Sequence, residues 1–153
     1  MEKKKVLIVF SRHYPIYSND EVEMIMPFKD SEFKATIAHD YWKAVEMIGS
    51  EKPEIVITET FIRETTHKTP DHIYGDSEWW FGFQLALKAI ELKCKKVFVI
   101  QTDIHSMADY SHEEQWAKHL CPLHDNLCYH SITHGKKFED IWISLLNGDY
   151  DES

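Results

Sequence analysis

Long apolar runs are missing from this sequence, and their absence excludes several classes of protein. No run approaches the ~20 residues that a membrane-spanning helix needs. The apolar run near the amino terminus, residues 6–10, is too short for the hydrophobic region of a secretion signal. We therefore expect no membrane partner and a cytoplasmic location.

Cysteine and positive charge are also limited. The three cysteines, Cys94, Cys121 and Cys128, cannot all pair within one chain, so we expect reduced thiols and no disulfide framework. Lysine and arginine together number 17 against 26 aspartates and glutamates, which gives a formal net charge of −9. Because such an acidic chain repels phosphate backbones, we expect no nucleic-acid partner. Phosphate loops, dinucleotide fingerprints and internal repeats are absent as well.

Hydrophobic patterns predict strands that alternate with helices. Continuous apolar runs, typical of strands covered on both faces, predict strands at residues 6–10, 33–39, 55–57, 97–100 and 126–132. Apolar residues at helical spacing and capping residues, among them Asp40, predict helices at 40–52, 77–93, 111–120 and 136–148. Residues 18–28 fit either a short helix or a strand. We expect one domain over residues 1–153, with a doubly wound five-stranded parallel sheet, flavodoxin-like strand order 2-1-3-4-5 and helices on both faces.

Polar residues follow four of these strands, at the edge where open α/β sheets bind ligands. The candidates for acid–base catalysis are Glu59, Asp103, His13 and His105. The candidates for ligand binding are Ser11, Arg12, Thr60, Thr102 and His134. Together such groups could bind a phosphate or a metal, or move a proton, but acidic and basic groups there could also simply pair with each other.

Several stretches resemble the receiver domains of response regulators. They are "KKVLIVFS" for the first strand, "ATIAHDYWKAVEMIGSEKPEIVITET" for the second strand, helix and third strand, and "VFVIQTD" for the fourth strand. The resemblance places Glu59 at the phosphoacceptor aspartate and Thr102 at the conserved hydroxyl. It also implies that Ser11 and Arg12 replace the acidic pair that holds magnesium, and that no lysine lies clearly at the receiver's position after the fifth strand, where Thr133 and His134 are nearest. Magnesium needs oxygen ligands, which an arginine does not provide. We therefore expect the magnesium-dependent phosphoacceptor chemistry to be absent.

A second stretch, "YGDSEWWFGFQLALKA" followed by "VFVIQTD", is similar to nucleoside deoxyribosyltransferases. Gly82 and Phe83 match the glycine–aromatic pair of that family. The glutamate position two residues before the glycine holds Trp80, and Glu78 lies half a turn earlier. The resemblance would imply a covalent carboxylate mechanism, which this departure puts in question.

Two further segments have alternative interpretations. Cys121, His124, Cys128 and His130 could bind zinc, but the spacing between the ligand pairs is short, and Cys128 and His130 also fit a half-buried edge strand. Residues 61–76 form a long connection that could be a lid, a metal-binding loop or a passive surface loop. The cofactor remains unknown.

The helix at 77–93 is apolar around much of its circumference, which predicts burial on two sides. Its second covering could be the long loop or another subunit. Our first hypothesis is therefore a pseudo-receiver that acts through a protein partner or self-association at this helix, for example as a homodimer. The alternative is an enzyme or binder of a nucleotide or phosphorylated metabolite, in which Arg12 holds the anion.

Overall fold

The structure is a computed structural model that describes residues 3–10, 28–29, 31–60, 62, 81–101 and 117–131. Five strands form one sheet: β1 Lys4–Val9, β2 Phe33–Ala38, β3 Ile55–Glu59, β4 Lys96–Gln101 and β5 Leu127–Ser131. The strand order is β2-β1-β3-β4-β5, and every neighbouring pair is parallel. The predicted sheet and strand order are confirmed, and β5 lies at the predicted edge.

Helix α1, Tyr41–Glu51, is capped at both ends. Oδ1 of Asp40 accepts a hydrogen bond of 2.7 Å from the backbone N–H of Lys43, so Asp40 is the N-cap that the sequence predicts. The helix ends at Lys52, whose φ of 53° is left-handed and whose N–H donates to the carbonyl of Ile48. These two caps set where the helix that connects β2 to β3 begins and ends.

Helix α2, Gly82–Glu91, follows β3 and precedes β4. Its buried residues lie on the side that faces the sheet: Gly82, Phe83, Leu85, Ala86 and Ala89. The predicted helix extends from residue 77, but residues 77–80 lie outside the described residues. A helical turn at 117–120 and a 3-10 helix at Cys121–Leu123 lead into β5.

Both faces of the sheet are buried. The first core layer packs β-strand residues against α1 and α2, and its members include Leu7, Val9, Ala44, Ile48, Val56, Leu85, Ala86, Val97 and Val99. The second core layer covers the other face and comprises Val6, Ile8, Phe10, Phe28, Ile57, Phe98 and Ile100. Alternate residues of each strand supply the two layers, as the pleat of a strand requires. This explains why the strands are apolar without alternation.

Helix α2 is buried on two sides, but the neighbouring parts of the same chain supply much of the covering. Phe81, just before the helix, lies with its ring centroid 5.4 Å from that of Tyr41 in α1. On the other flank Phe83 stacks on Tyr129 of β5, at 6.0 Å. Helix α1 and strand β5 therefore cover much of the apolar surface of α2, for which the sequence suggests the long loop or a second subunit as the covering.

Other predicted elements lie outside the described residues: the segment 18–28 apart from Phe28, the start of the helix at 111–120, and the helix at 136–148. Within the described ranges, no helix is long and apolar enough to cross a membrane.

Candidate functional site at the carboxyl edge of the sheet

Glu59 is the last residue of β3, and its side chain is buried. It is only 1% exposed, and its neighbour Thr60 is equally buried. In the ladder between β3 and β4, Glu59 is the partner of Ile100. Burying a charged carboxylate costs free energy unless it is paired or hydrogen-bonded. Other interactions in the fold must therefore offset the cost of burying Glu59.

The described surroundings of Glu59 are apolar. Alternation along β3 places Glu59 on the same face as Ile57, which belongs to the second core layer. The ladder between β1 and β3 pairs Val9 with Thr58, and continuing it by one residue brings Phe10 next to Glu59. Phe10 is also buried in the second core layer. Neither Phe10 nor Ile100 has a side-chain oxygen that could bind a metal ion.

Besides the ladder bonds of β3, three hydrogen bonds between described residues hold the backbone around Glu59. The hydroxyl of Thr58 donates to the carbonyl oxygen of Glu59 at 3.0 Å. The N–H of Thr60 donates to the carbonyl of Ile100 at 3.1 Å, and the N–H of Gly82 donates to the carbonyl of Thr60 at 3.1 Å. The end of β3 is thus tied both to β4 and to the start of α2.

His39 and Asp40, which follow β2, also lie at this edge. Neither is among the predicted site residues. Nδ1 of His39 lies 3.2 Å from the carbonyl oxygen of Phe10. Because a carbonyl only accepts, Nδ1 carries the proton in this contact. The His39 ring also meets the Phe10 ring edge-on, with centroids 4.9 Å apart. No motif in the sequence marks His39; only its position directly after a strand points to this edge.

Of the predicted site residues, the structure describes Glu59 and Thr60 and places them side by side at the end of β3. The other predicted residues lie outside the described residues: Ser11, Arg12, His13, Thr102, Asp103, His105 and His134. Ser11 and Thr102 each directly follow a described residue, Phe10 and Gln101, at the same edge. The only described acid–base candidate is buried, so no described feature favours the enzyme alternative.

The cysteine and histidine cluster near β5 is described in part. Cys121 packs against the first core layer, and Cys128 packs against the second. Among the described residues, no three histidine, cysteine, aspartate or glutamate side chains could hold a metal ion together. The side chain of His130 lies outside the described part, so the four-residue zinc set stays a prediction. Burial raises the pKa of the Cys121 thiol, and the charge of Cys128 raises it further.

Gly82, which matches the glycine of the deoxyribosyltransferase pattern, has a structural explanation here. A Cβ at this position would lie 2.2 Å from the carbonyl oxygen of Glu59 and 2.6 Å from the Cα of Thr60. Only glycine lets α2 start this close to β3. Trp80 and Glu78 lie outside the described residues, and the similar structures reported below give no support to this resemblance.

Comparison with known proteins finds similarity in structure. No protein-family model matches the chain, and no curated protein matches it in sequence. The chain is similar to the response regulator domain of Thermotoga maritima CheB, with a TM-score of 0.53 and 14% identity over 96% of this chain and 93% of that one. It is also similar to the signal receiver domain of a LuxO repressor protein from Vibrio parahaemolyticus, with a TM-score of 0.53 and 10% identity over 94% and 87% of the two chains.

A third similar structure is the signal receiver domain of the response regulator NarL from Mycobacterium tuberculosis. The TM-score is 0.51 and the identity 12%, over 97% of this chain and 99% of that one. The alignments extend over nearly all of both chains in each case. At identities of 10–14%, the similarity is one of architecture. The chain therefore has the fold of response-regulator receiver domains.

Proposed function

We propose that this chain is a pseudo-receiver, a regulatory domain with the receiver fold that acts through protein contacts and lacks a magnesium-dependent phosphoacceptor site. The observation that carries the proposal is the burial of Glu59. The resemblance places this residue at the phosphoacceptor position, where a phosphodonor would have to reach a carboxylate. Only 1% of Glu59 is exposed, and buried apolar residues stand beside it, Phe10 just after β1 and Ile100 in β4.

The same surroundings are unsuitable for magnesium. Magnesium binds oxygen ligands in near-octahedral geometry and gives up water reluctantly. The described neighbours of Glu59, Phe10 and Ile100, have no side-chain oxygen that could bind magnesium. The two residues that the resemblance assigns to the acidic pair, Ser11 and Arg12, include a guanidinium, which repels a divalent cation. We propose that Arg12 instead pairs with Glu59 and neutralises its charge.

A magnesium titration tests this absence of a metal site. We expect no saturable chemical-shift change in the backbone amides of residues 57–60 and 98–101 when magnesium is added up to millimolar concentrations. The receiver domain of a protein with an intact acidic pair, titrated in parallel, is the positive control. Saturable shifts confined to these amides would contradict the proposal.

The partner surface that we propose is the helix at 77–93. Support comes from apolar side chains that the fold leaves partly accessible: Leu87 and Ile90 in α2, and Leu92 at its C-cap, which is 40% exposed. Leu92→Glu should weaken self-association, or partner binding, measured by sedimentation at several concentrations. Leu123→Glu, at an exposed leucine beyond α2, is the matched control and should leave the sedimentation unchanged. Equal effects of both variants would exclude this surface.

A further inference from the structure

A cavity of about 510 Å³ lies at the β5 edge of the sheet, away from Glu59. It is formed by the start of β4, the helical turn at 117–120, the 3-10 helix and the first residues of β5. Its size lies within the range of small-molecule sites, which is about 300–1,000 Å³. Neither the receiver resemblance nor the proposed function uses this cavity.

Two lysines, Lys96 and Lys118, line the cavity. Within the described ranges neither forms an ion pair with a carboxylate, and the ammonium of Lys96 lies 6.0 Å from the centroid of the Phe98 ring. The neighbouring Lys95, by contrast, lies 3.1 Å from a carboxylate oxygen of Glu54. Asp125 is the one carboxylate among the described lining residues. An excess of positive charge among the described lining residues is unexpected in a chain with a net charge of −9.

The rest of the described lining is largely apolar. Ala117 and Leu127 are buried members of the first core layer, and Tyr129 packs against it through Phe83. Pro122 adds a rigid apolar surface from the 3-10 helix. An apolar wall with a few charged groups is the usual composition of a site that binds an organic ligand in a fixed orientation.

We propose that this cavity binds a small organic anion, a phosphate ester or carboxylate joined to an apolar body. The ammonium groups of Lys96 and Lys118 bind the anionic group, since lysine binds phosphate and carboxylate as a compact charge. The apolar body lies against Leu127, Tyr129 and Pro122. The site is independent of the pseudo-receiver proposal, because it lies at another edge of the fold and involves none of its residues.

Phenyl phosphate combines the two required parts and is the probe for the first experiment. Its titration should produce saturable chemical-shift changes in the backbone amides of residues 117–129. Inorganic phosphate and phenol, each carrying one part, should bind at least about tenfold more weakly, since each lacks one set of contacts. Equal binding of phenol would overturn the role of the lysines, and the absence of any saturable shift with phenyl phosphate would overturn the site.

Charge removal provides the second test. Lys96→Gln and Lys118→Gln should each raise the dissociation constant for phenyl phosphate about tenfold, the effect expected for losing one charge-assisted contact. Lys34→Gln, on the opposite edge strand β2, is the matched control and should leave the dissociation constant unchanged. If all three variants weaken binding equally, the attraction is a general effect of net charge and the proposal fails.

The thiols that line the cavity give a readout that needs no variant. Cys121 and Cys128 line it, whereas Cys94 is buried elsewhere and does not. Phenyl phosphate should slow the modification of Cys121 and Cys128 by N-ethylmaleimide and leave the rate at Cys94 unchanged, as measured by peptide mass spectrometry. Unchanged rates at Cys121 and Cys128 under saturating phenyl phosphate would contradict occupancy of the cavity.

Discussion

Gly82 packs directly against the backbone of Glu59: a Cβ built on Gly82 would lie 2.2 Å from the carbonyl oxygen of Glu59. The N–H of Gly82 also donates to the carbonyl of Thr60, the next residue along. The start of α2 is therefore fixed on the end of β3, where the candidate site lies. A change at residue 82 should act on this edge through the backbone, without altering any polar side chain.

Replacing Gly82 by alanine should destabilise the protein by about 1–3 kcal/mol, because the added methyl group meets backbone atoms that cannot rotate away. Gly49→Ala is the matched control. No atom lies within 4 Å of a Cβ at Gly49, which lies inside α1, so alanine there should stabilise by about 0.5–1 kcal/mol. Urea denaturation measures both changes. Free energies of unfolding that shift in the same direction would contradict the close packing of Gly82.

Asp40 should contribute to stability as the N-cap of α1. Asp40→Ala removes the 2.7 Å hydrogen bond to the N–H of Lys43 and should cost about 1 kcal/mol. Asp40→Asn keeps an acceptor oxygen and should retain most of the stability. Thermal unfolding distinguishes the two variants. If the asparagine variant is as destabilised as the alanine variant, capping is not what Asp40 contributes.

The Cys121 thiol should react slowly near neutral pH. Burial raises its pKa, and the charge of Cys128 raises it further, so at a given pH less thiolate is present than for an ordinary cysteine. Because the thiolate is the nucleophile, the rate of alkylation by iodoacetamide should rise only at higher pH than for free cysteine. Cys128→Ser should move the pH–rate curve of Cys121 back toward lower pH. A curve unaffected by that substitution would show that Cys128 has no influence.

The proposed pairing of Arg12 with Glu59 can be measured as a coupling. Arg12→Met alone would leave the buried carboxylate without its partner and should cost about 3–5 kcal/mol. In a Glu59→Gln background the same change should cost much less, since no charge then needs neutralising. Denaturant unfolding of the two single variants and the double variant gives the interaction energy. Additive effects would mean that Arg12 does not neutralise Glu59.

The sheet could be predicted from the sequence because its signals are local and strong. Apolar runs such as Val97–Ile100 identify buried strands, and alternation with helices determines the order of a doubly wound sheet. Asp40 was predicted as a cap because the N-cap preference is a property of the residue itself. The strand ends differ by one or two residues from the prediction, since ladder pairing extends beyond the apolar run, as at Lys4 and Gln101.

The site was less predictable because it depends on register and packing. The sequence identifies Glu59 as a polar residue at the end of a strand, but its burial follows from its partner Ile100 and from the continuation of the β1 ladder to Phe10. His39 was missed because one histidine after a strand has no distinguishing pattern. In the sequence Gly82 resembles part of a family motif, and its close approach to β3 has no signal there, since sequence alone does not show how near a helix lies to a strand.

The most direct test of the account is exposure of the protein to a small phosphodonor, acetyl phosphate, with and without magnesium. We predict no magnesium-dependent phosphorylation, measured by intact-protein mass spectrometry, while a receiver domain with an acceptor aspartate is modified in parallel. Magnesium-dependent phosphorylation that disappears in Glu59→Gln would contradict the account, because it would show that Glu59 is reachable and that the edge holds a metal.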